Sequence, residues 1–435
     1  MIIERFKRRH ILENIIKKLE KEFFINNHKA NLQDFTRDRT LNFAVVFMLI
    51  LKKSIKSLQL MLNELFLRHE IDVIVSSSAY TQARKKFKHT AFIELNDDTI
   101  RLYYEDDQIK RWKGYRCFGV DGSKLILPNT EEIKKVFGEI PIRSQHVSEG
   151  SYACAMFECY YDVLNHIAIK SQLVPGASYE VDVASTMLSD FNEKDLLIYD
   201  RGYASYEFLA TLTQAAKSYI VRCPTSSFKA TCALFENRGP WSETVNLSVS
   251  NSQAKHIHAK GLPSEIPVRF VRVVLSTGEI EVLATSIMDE TLQPDDFKLL
   301  YGMRWGVESF YHLIKERLCL ENFTGKSVEA VRQDFWSTLL LSNLESVLTE
   351  EVEEVNEGSR QSKKKVNHAV SFNALKNMAF EIFLHEKDIE KTMEKLSLLF
   401  KTGMFVERKD RSPPRREKSA RRSCNFLKRI KKLVY

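Results

Sequence analysis

Three acidic residues occupy positions from which their side chains could act together. Asp121 follows the apolar run Phe118–Val120, Asp200 follows the apolar run Leu196–Tyr199, and Glu308 lies in a segment with helical spacing. Carboxylates are hard oxygen ligands for divalent cations. Two such cations about 3.5–4 Å apart can activate water and stabilise the transition state of a phosphodiester reaction. The three residues therefore predict metal-dependent chemistry on phosphodiesters.

The two aspartates share a local context. Each ends an apolar run and has a glycine one or two residues later. A carboxylate at a strand end beside glycine projects from a rigid sheet without a bulky neighbour. Asp and Gly are also common in simple turns, so a turn remains an alternative for each aspartate taken alone.

The segment around Glu308 has a more specific pattern. Tyr301, Arg304, Glu308 and Lys315 lie at offsets of 0, 3, 7 and 14. At about 100° per residue, these positions fall within an arc of roughly 60° on one helix face, which Trp305 borders. The opposite face is apolar, as packing against a sheet requires. An ordinary amphipathic helix with a solvated polar face remains the alternative.

The motif Y-x2-R-x3-E-x6-K and the preceding DG and DRG aspartates resemble the DDE transposases of bacterial insertion sequences, specifically insertion sequence family four. The segments FTRDRTLNF at 35–43 and SSSAYTQARKKF at 76–87 are also similar to the N-terminal part of that family. The similarity covers most of the chain. It implies an α/β fold with a ribonuclease H-like catalytic core, interrupted by a β-strand insertion between the second aspartate and the glutamate.

The resemblance also implies roles for individual residues. The catalytic residues and metal ligands would be Asp121, Asp200 and Glu308, which would hold two Mg²⁺ ions, with Mn²⁺ able to substitute and Asp121 as the bridge. The contacts to DNA phosphates would come from Tyr301, Arg304 and Lys315, with Arg304 making forked hydrogen bonds.

Two tryptophans are candidates for stacking on a flipped base near the cut. Trp305 lies beside Arg304 as in the family motif, and Trp241 is the nearest candidate for a second stacking residue. Because tryptophan is usually mostly buried, a core position is the alternative for both.

The function implied by the resemblance is cut-and-paste DNA transposition. The enzyme would bind the terminal inverted repeats of its own element, cut the DNA, and join the ends to target DNA as a homodimer on paired ends. Every step is an in-line phosphoryl transfer, so one two-metal site can serve all of them. The alternatives are a metal-dependent nuclease that does not join, and a non-catalytic DNA-binding repressor derived from a transposase.

The sequence predicts three consecutive regions. Residues 1–105 form a helical N-terminal DNA-binding domain, since apolar residues recur at helical spacing and glycine and proline are absent. Residues 106–350 form the catalytic domain, with a β-rich insertion at about 223–295 that includes a hairpin of Val268–Leu275 and Ile280–Ile287. Residues 351–435 form a helical region with a basic tail.

Several shorter elements are predicted as well. Ser76–Ser78 would cap a short basic helix, Ala79–Lys88, that could grip DNA. The chain from Phe297 would be helical to about 350. The remaining predicted strands and helix are Tyr115–Val120, Tyr152–Tyr161, Leu196–Tyr199, Tyr219–Arg222 and the helix Ser205–Ala216.

Composition narrows the class of protein. With 44% hydrophobic and 28% charged residues, the chain of 435 residues is typical of a folded protein. Its most apolar segment, Leu41–Leu51, is shorter than the roughly 20 residues that span a bilayer, and no secretion signal is evident. Seven cysteines without a C-x-x-C pair suggest neither disulfides nor a zinc ribbon. We therefore expect a protein that stays inside the cell and is not associated with membranes. The resemblance further implies the bacterial cytoplasm, in association with the nucleoid.

The basic charge is concentrated near the C-terminus. Residues 408–432 contain twelve Lys or Arg and two acids, whereas the net charge of the chain is +8. Such a segment attracts polyanions and releases counterions on binding phosphate. A solvated tail without a specific partner is the alternative.

Overall fold

The computed structural model describes residues 2–37, 39–54, 56–68, 74–143, 148–236, 240–357, 364–384 and 389–406. The basic tail at 408–432 lies outside these residues. The helices are α1 (Ile2–Glu20), α2 (Glu22–His28), α3 (Phe43–Lys52), α4 (Leu58–Arg68), α5 (Ser77–Arg84), α6 (Thr90–Tyr104), α7 (Glu131–Phe137), α8 (Glu180–Thr186), α9 (Tyr206–Gln214), α10 (Cys232–Phe235), α11 (Asn251–Ala259), α12 (Pro294–Met303), α13 (Trp305–His312), α14 (Val328–Glu357), α15 (His368–Asn377), α16 (Ala379–Phe383) and α17 (Ile389–Thr402).

The strands are β1 (Arg116–Ile126), β2 (Glu139–Arg143), β3 (Ser148–Asp162), β4 (Ile167–Pro175), β5 (Asp195–Tyr199), β6 (Ser218–Cys223), β7 (Ser242–Ser248), β8 (Glu265–Val274), β9 (Ile280–Thr285), β10 (Lys364–Lys365) and β11 (Phe405–Val406). A π-helical segment, Leu313–Arg317, follows α13 directly.

The chain divides into two compact units. The helical unit comprises the described residues within Met1–Asp107, Ile126–Cys154 and Leu313–Tyr435, and the sheet unit comprises Gln108–Leu125 and Ala155–His312. The helical unit thus draws on both ends of the chain and on a central segment. The three consecutive domains expected from the sequence do not coincide with these units, and their functional roles stay predictions.

The sheet unit is organised around mixed strands in the order β4-β3-β1-β5-β6-β9-β8-β7. Strands β1, β5 and β6 run parallel to one another, and β9, β8 and β7 continue the sheet with antiparallel pairing. All five residues of β5 are buried, as expected for a strand covered on both faces. A mixed α/β architecture is therefore confirmed.

The predicted β-rich stretch at 223–295 forms part of this sheet. Its hairpin is confirmed, because β8 pairs with β9 and the turn between them closes through the N–H of Leu275 donating to the carbonyl oxygen of Glu279 at 2.9 Å. Gly278 supplies the positive φ of that turn, +83°. Since β9 pairs with β6, these strands extend the central sheet, and helices α10 and α11 interrupt them.

The helical unit is held together by the long helix α14, which packs against α3 and α6. Helix α5 begins after Ser76, whose side chain accepts a hydrogen bond from the N–H of Ala79. One of the predicted N-cap residues, Ser76, does cap the helix, but the helix starts two residues before the predicted Ala79 and ends four residues before the predicted Lys88. Arg84 is buried and donates to Asp334 of α14 at 2.8 Å, so it stabilises the unit and is not available to DNA.

No helix among the described residues is both long and apolar enough to cross a membrane.

Candidate active site

Asp121 and Asp200 are placed by adjacent parallel strands. Val120 of β1 is in register with Tyr199 of β5, and each aspartate directly follows its member of this pair. The expectation that β1 ends at Asp121 is wrong, since the strand continues to Ile126. However, its pairing with β5 stops at Val120, so both carboxylates lie just past the part of the sheet where β1 and β5 pair.

Glu308 lies on α13, which packs against the same strand. Tyr311, one turn further along α13, donates its hydroxyl proton to the carbonyl oxygens of Asp121 at 2.5 Å and Phe157 at 3.2 Å. A Cβ atom at Gly119 of β1 would lie 3.3 Å from the Cβ of Val307. The absence of a side chain at this position lets α13 approach β1 closely.

The helix that carries the Y-R-E-K motif is not one regular helix. It breaks between α12 and α13 at Arg304, where the N–H of Arg304 donates to the carbonyl oxygen of Tyr301 and the N–H of Val307 donates to that of Arg304, both at 3.1 Å. The arc of 60° assumed an ideal helix and does not apply here. The expectation of helix to about 350 is also wrong, because the segment 318–327 is not helical.

Arg304 links the acidic groups. Its side chain is only 4% exposed, and its Nη2 donates to Oε1 of Glu308 at 2.7 Å. Burial alone would lower the pKa of Arg304, but the Tyr301 phenol and the hydrogen bond to Glu308 outweigh burial, so the pKa is raised. Asp121 and Asp200 both interact with the same guanidinium. Arg304 is therefore ion-paired with Glu308 and interacts electrostatically with the two aspartates.

Asp200 is held in its ionised form. The hydroxyl of Tyr301 donates to its Oδ1 at 3.1 Å, and the Arg222 guanidinium lies 3.5 Å from the same oxygen. Burial raises the pKa of Asp200, but the N–H of Arg201 and the Arg304 and Arg222 guanidinium groups outweigh burial and lower it. Arg222 lies on the neighbouring strand β6, and no motif in the sequence singles it out.

The surroundings of Asp121 raise its pKa, whereas those of Asp200 lower it. Burial raises the pKa of Asp121 to about 7; Arg304 opposes this increase, while Glu180 and Glu308 add to it. Its Oδ1 accepts one hydrogen bond, from the N–H of Gly122 at 3.0 Å. Two aspartates on neighbouring strands are thus driven toward different charge states by their surroundings, a property frequent at functional sites.

Two further carboxylates near Asp121 were missed by sequence reasoning. Glu158 on β3 is fully buried, and Glu180 is the first residue of α8. A signal for Glu158 was available, because one acidic residue interrupts the apolar and aromatic run Tyr152–Tyr161. A charged residue in a buried strand is rare unless it has a partner or a function.

The three carboxylates are of a chemical type that binds divalent cations. Asp121, Asp200 and Glu308 supply hard oxygen ligands of the kind that Mg²⁺ prefers. Within the part of the chain that the structure describes, no three His, Cys, Asp or Glu side chains stand close enough together to hold a metal ion. The side chains are instead neutralised in part by Arg304.

The two candidate stacking tryptophans are both exposed. Trp305 is 46% exposed and lies 5.5 Å from the Arg304 guanidinium, and Trp241 is 54% exposed and lies 4.3 Å from that of Arg272. The alternative that they are core residues is therefore wrong. Lys315 lies in the π-helical segment, which belongs to the helical unit, and its DNA contact stays a prediction.

Comparison with known proteins finds a family model that matches part of the chain. Residues 142–344 match the family model described as "Transposase DDE domain". The matched range includes Asp200 and Glu308 and begins after Asp121. It covers a little less than half of the chain.

Two curated proteins are similar to this chain at low sequence identity. The chain is 23% identical over 150 residues to "Putative transposase InsZ" of Escherichia coli (strain K12), a match of 32% of this chain and 47% of that protein. It is 22% identical over 143 residues to "Putative transposase y4zB" of Sinorhizobium fredii (strain NBRC 101917 / NGR234), a match of 33% of this chain and 39% of that protein. The chain thus spans less than half the length of each relative.

A solved structure titled "Cryo-EM structure of piggyBac transposase synaptic complex with hairpin DNA (SNHP)" is similar with a TM-score of 0.46 and 10% identity, covering 96% of this chain and 86% of that chain.

Proposed function

We propose that this protein is a DDE transposase of insertion sequence family four that cuts and joins DNA by cut-and-paste transposition. The observation that supports this proposal most directly is the ion pair of Arg304 with Glu308 and its electrostatic interaction with Asp121 and Asp200. Asp200 and Glu308 lie within a segment that matches a transposase DDE domain, and Asp121 precedes it. The proposal includes a ribonuclease H-like core, in which β7, β8 and β9 lie between Asp200 and Glu308 along the chain.

Asp121, Asp200 and Glu308 would hold two Mg²⁺ or Mn²⁺ ions, with Asp121 as the shared ligand. When bound, such ions polarise phosphate oxygens and lower the pKa of a coordinated water. Asp200 is suited to this role because its carboxylate is already ionised, with Tyr301 and Arg222 fixing its position. Glu308 would have to leave its ion pair with Arg304 to take part, since this pair occupies Oε1.

Arg304 would then be released toward the DNA. Its Nε makes no hydrogen bond to any described residue, and it is buried, so the guanidinium retains donor capacity for a phosphate. Tyr301 and Lys315 would add phosphate contacts. Trp305 and Trp241 are each about half exposed, and we propose that an unpaired base stacks on them. Base stacking on an aromatic side chain is worth about 1–3 kcal/mol.

The substrates, the oligomeric state and the location in the cell are proposed from the resemblance to insertion-sequence transposases. The substrates are double-stranded DNA with terminal inverted repeats and a target DNA, and the working form is a homodimer on paired ends. The helical N-terminal region and the basic tail would add DNA affinity. We also propose that the enzyme acts in the bacterial cytoplasm, at the nucleoid.

The proposal is tested with the variants Asp121→Asn, Asp200→Asn and Glu308→Gln. Each keeps the size of the side chain but removes the charge that a cation needs, so we expect cleavage of a DNA containing the element's ends to fall by at least a thousandfold. Binding to the same DNA should change by less than about threefold. The measurement is strand cleavage with Mg²⁺ on a labelled DNA, and binding by mobility shift at a fixed salt concentration.

The same assay separates the alternatives. A precleaved end that becomes joined to a second DNA identifies a transposase, whereas cleavage without joining identifies a nuclease. Binding without any metal-dependent cleavage by the unmodified protein would identify a DNA-binding repressor. A variant that cleaved like the unmodified protein would remove that residue from the metal-binding set.

A further inference from the structure

The helical unit contains a cavity of about 400 Å³ that has no part in the proposed chemistry of the carboxylates. Its walls come from α3, α4 and α5, from the segment 322–327 and from the beginning of α14. All of the lining residues belong to the helical unit. Cavities that hold small ligands have volumes of about 300–1,000 Å³, so this cavity has the size of a ligand site.

The lining of this cavity carries an excess of positive charge. It contains one acid, Glu329, whose Oε1 accepts a hydrogen bond from the backbone N–H of His89 at 2.5 Å. Two of the basic residues in the lining have carboxylate partners, since Lys56 pairs with Glu64 and Arg84 pairs with Asp334. Three others pair with no carboxylate among the described residues, and these are Lys53, Lys85 and Lys326.

Lys53 brings a buried charge to this lining. It is 8% exposed, and its Nζ donates to the carbonyl oxygens of Leu320 at 2.9 Å and Cys319 at 3.2 Å. An ammonium group has three donors, so one N–H has no acceptor among the described residues. Burial lowers the pKa of Lys53; Asp334 opposes this decrease and Arg84 adds to it. A buried cation without a carboxylate partner is costly, and an anion in the cavity would reduce that cost.

One wall of the cavity is held rigidly in place. In the segment 322–327, the N–H of Thr324 donates to Oδ2 of Asp334 at 2.6 Å, and Nη1 of Arg84 donates to Oγ1 of Thr324 at 2.6 Å. A Cβ atom at Gly325 would clash with the Cβ of Ala330, so this segment packs closely onto α14. The cavity is therefore shaped before a ligand binds, which lowers the entropic cost of binding.

The remaining lining combines hydroxyl groups with apolar surface. The hydroxyl oxygens of Ser54, Ser57 and Ser327 each accept a hydrogen bond from a backbone N–H, so their own protons stay available to a ligand. Lysine and serine are common partners of phosphate. The apolar part suits a ring, and it is formed by Leu49, Leu58, Met61, Tyr80 and Phe323.

We propose that this cavity binds the phosphate group of a nucleotide, which is either free or part of a DNA strand. Lys85 and Lys326 are exposed and would contact the phosphate, while Lys53 adds positive charge from the interior. Only the DNA source rests on the proposed function. Binding of a free nucleotide requires neither the three carboxylates nor strand cleavage.

The first measurement is titration calorimetry of the full chain with adenosine monophosphate, and with adenosine as the matched ligand that lacks phosphate. We expect adenosine to bind about tenfold more weakly or less, because it cannot make charge-assisted hydrogen bonds to the lysines. The second measurement is the affinity for a labelled DNA duplex by mobility shift at a fixed salt concentration. The two measurements distinguish a free nucleotide from a DNA strand as the source of the phosphate.

Two variants test the cavity. The combined change Lys85→Gln and Lys326→Gln removes two exposed charges and should weaken phosphate binding by about tenfold or more. Its matched control is the combined change Lys21→Gln and Lys401→Gln, which removes two exposed lysines of the same unit that do not line the cavity. This control should bind like the unmodified protein.

The second variant, Thr81→Trp, fills the cavity without changing its charge. Thr81 is an exposed residue of α5 that lines the cavity, so the larger side chain should block the ligand. Attraction by surface charge alone would leave binding to this variant unchanged. Thermal unfolding confirms that each variant is folded.

The site is supported when both variants weaken binding and the control does not. If this holds for adenosine monophosphate, the ligand is a free nucleotide, and if it holds only for the duplex, the ligand is a DNA strand. Any other pattern for both ligands overturns the site. Asp121→Asn should retain nucleotide binding, so a protein that fails to cleave DNA would contradict the proposed function without affecting this inference.

Discussion

Arg304 is the residue on which the geometry of the candidate site depends. It pairs with Glu308, interacts with both aspartates, and lies 5.6 Å from the Tyr301 ring and 5.5 Å from the Trp305 ring. In this arrangement the Arg304 guanidinium acts as the counter-ion of the carboxylates. A planar guanidinium can serve several partners at fixed angles, which an ammonium group cannot do.

The first prediction concerns this residue. Arg304→Ala removes the buried positive charge and should lower strand cleavage at least a hundredfold, while Arg304→Lys keeps the charge without the fork and should recover only part of the loss. Cleavage rates at saturating DNA provide the measurement, and thermal unfolding provides the control for folding. Full activity in Arg304→Lys would show that charge alone matters, and full activity in Arg304→Ala would exclude Arg304 from the site.

Individual site residues differ in how far the sequence could reveal them. Asp121 and Asp200 were recognisable because an acid follows an apolar run in each case, and the motif around Glu308 was recognisable from its spacing. Glu180 was not, because it becomes a neighbour of Asp121 only through the fold. The exposure of Trp241 and Trp305 was likewise invisible, since tryptophan is usually buried and a single sequence gives no surface.

At the scale of elements, the contact between β1 and α13 brings Glu308 to the aspartates. Gly119 on β1 and Gly306 on α13 both face Val163. A Cβ atom at Gly119 would lie 3.2 Å from Cγ1 of Val163, and a Cβ atom at Gly306 would lie 3.0 Å from the same atom. Small residues at such a contact let a helix and a strand approach more closely than side chains of ordinary size allow. The separation of the three carboxylates therefore depends on glycine as well as on the acids.

The contact between β1 and α13 can be tested by enlarging Gly119. Gly119→Val should push α13 away from β1, lower strand cleavage by at least tenfold, and destabilise the fold by about 1–3 kcal/mol through overpacking. Gly302→Ala on α12 is the matched control, because a Cβ atom there meets nothing within 4 Å. It should stabilise the protein by about 0.5–1 kcal/mol because alanine favours a helix. Chemical denaturation and the cleavage assay measure both effects, and unchanged cleavage in Gly119→Val would contradict the argument.

Elements with strong local patterns were predictable, whereas their irregularities were not. Strand β5 and helix α9 follow from an apolar run and from Ser205, whose side chain caps α9 by accepting a hydrogen bond from the N–H of Phe208. The break at Arg304 has only a weak signal, the flanking residues Gly302 and Gly306, because the sequence there contains no proline. At the break, the N–H groups of Arg304 and Val307 bond to carbonyl oxygens three residues earlier. We attribute this local change to tertiary packing, which can override helix propensity and which the spacing of apolar residues does not report.

For the whole molecule, long-range pairing decides which parts of the chain form a unit. Arg84 and Asp334 are 250 residues apart and form a buried ion pair, and Asn343 donates to Asn96 at 2.8 Å across 247 residues. Because hydrophobic spacing reports only local structure, the sequence suggested consecutive domains where the helical unit joins both ends of the chain. The overall charge, in contrast, can be read directly from the sequence.

The last prediction concerns that charge. Deleting residues 407–435 removes twelve Lys or Arg and three acids, and so leaves a chain that is close to neutral. If the tail binds DNA, the slope of log K against log salt should become shallower by several units, since each neutralised phosphate contributes about 0.9. A chain whose residues 407–435 are shuffled is the matched control and should keep the original slope, because this attraction is independent of sequence. Equal slopes for the full and the shortened chain would instead identify a solvated tail without a role in DNA binding.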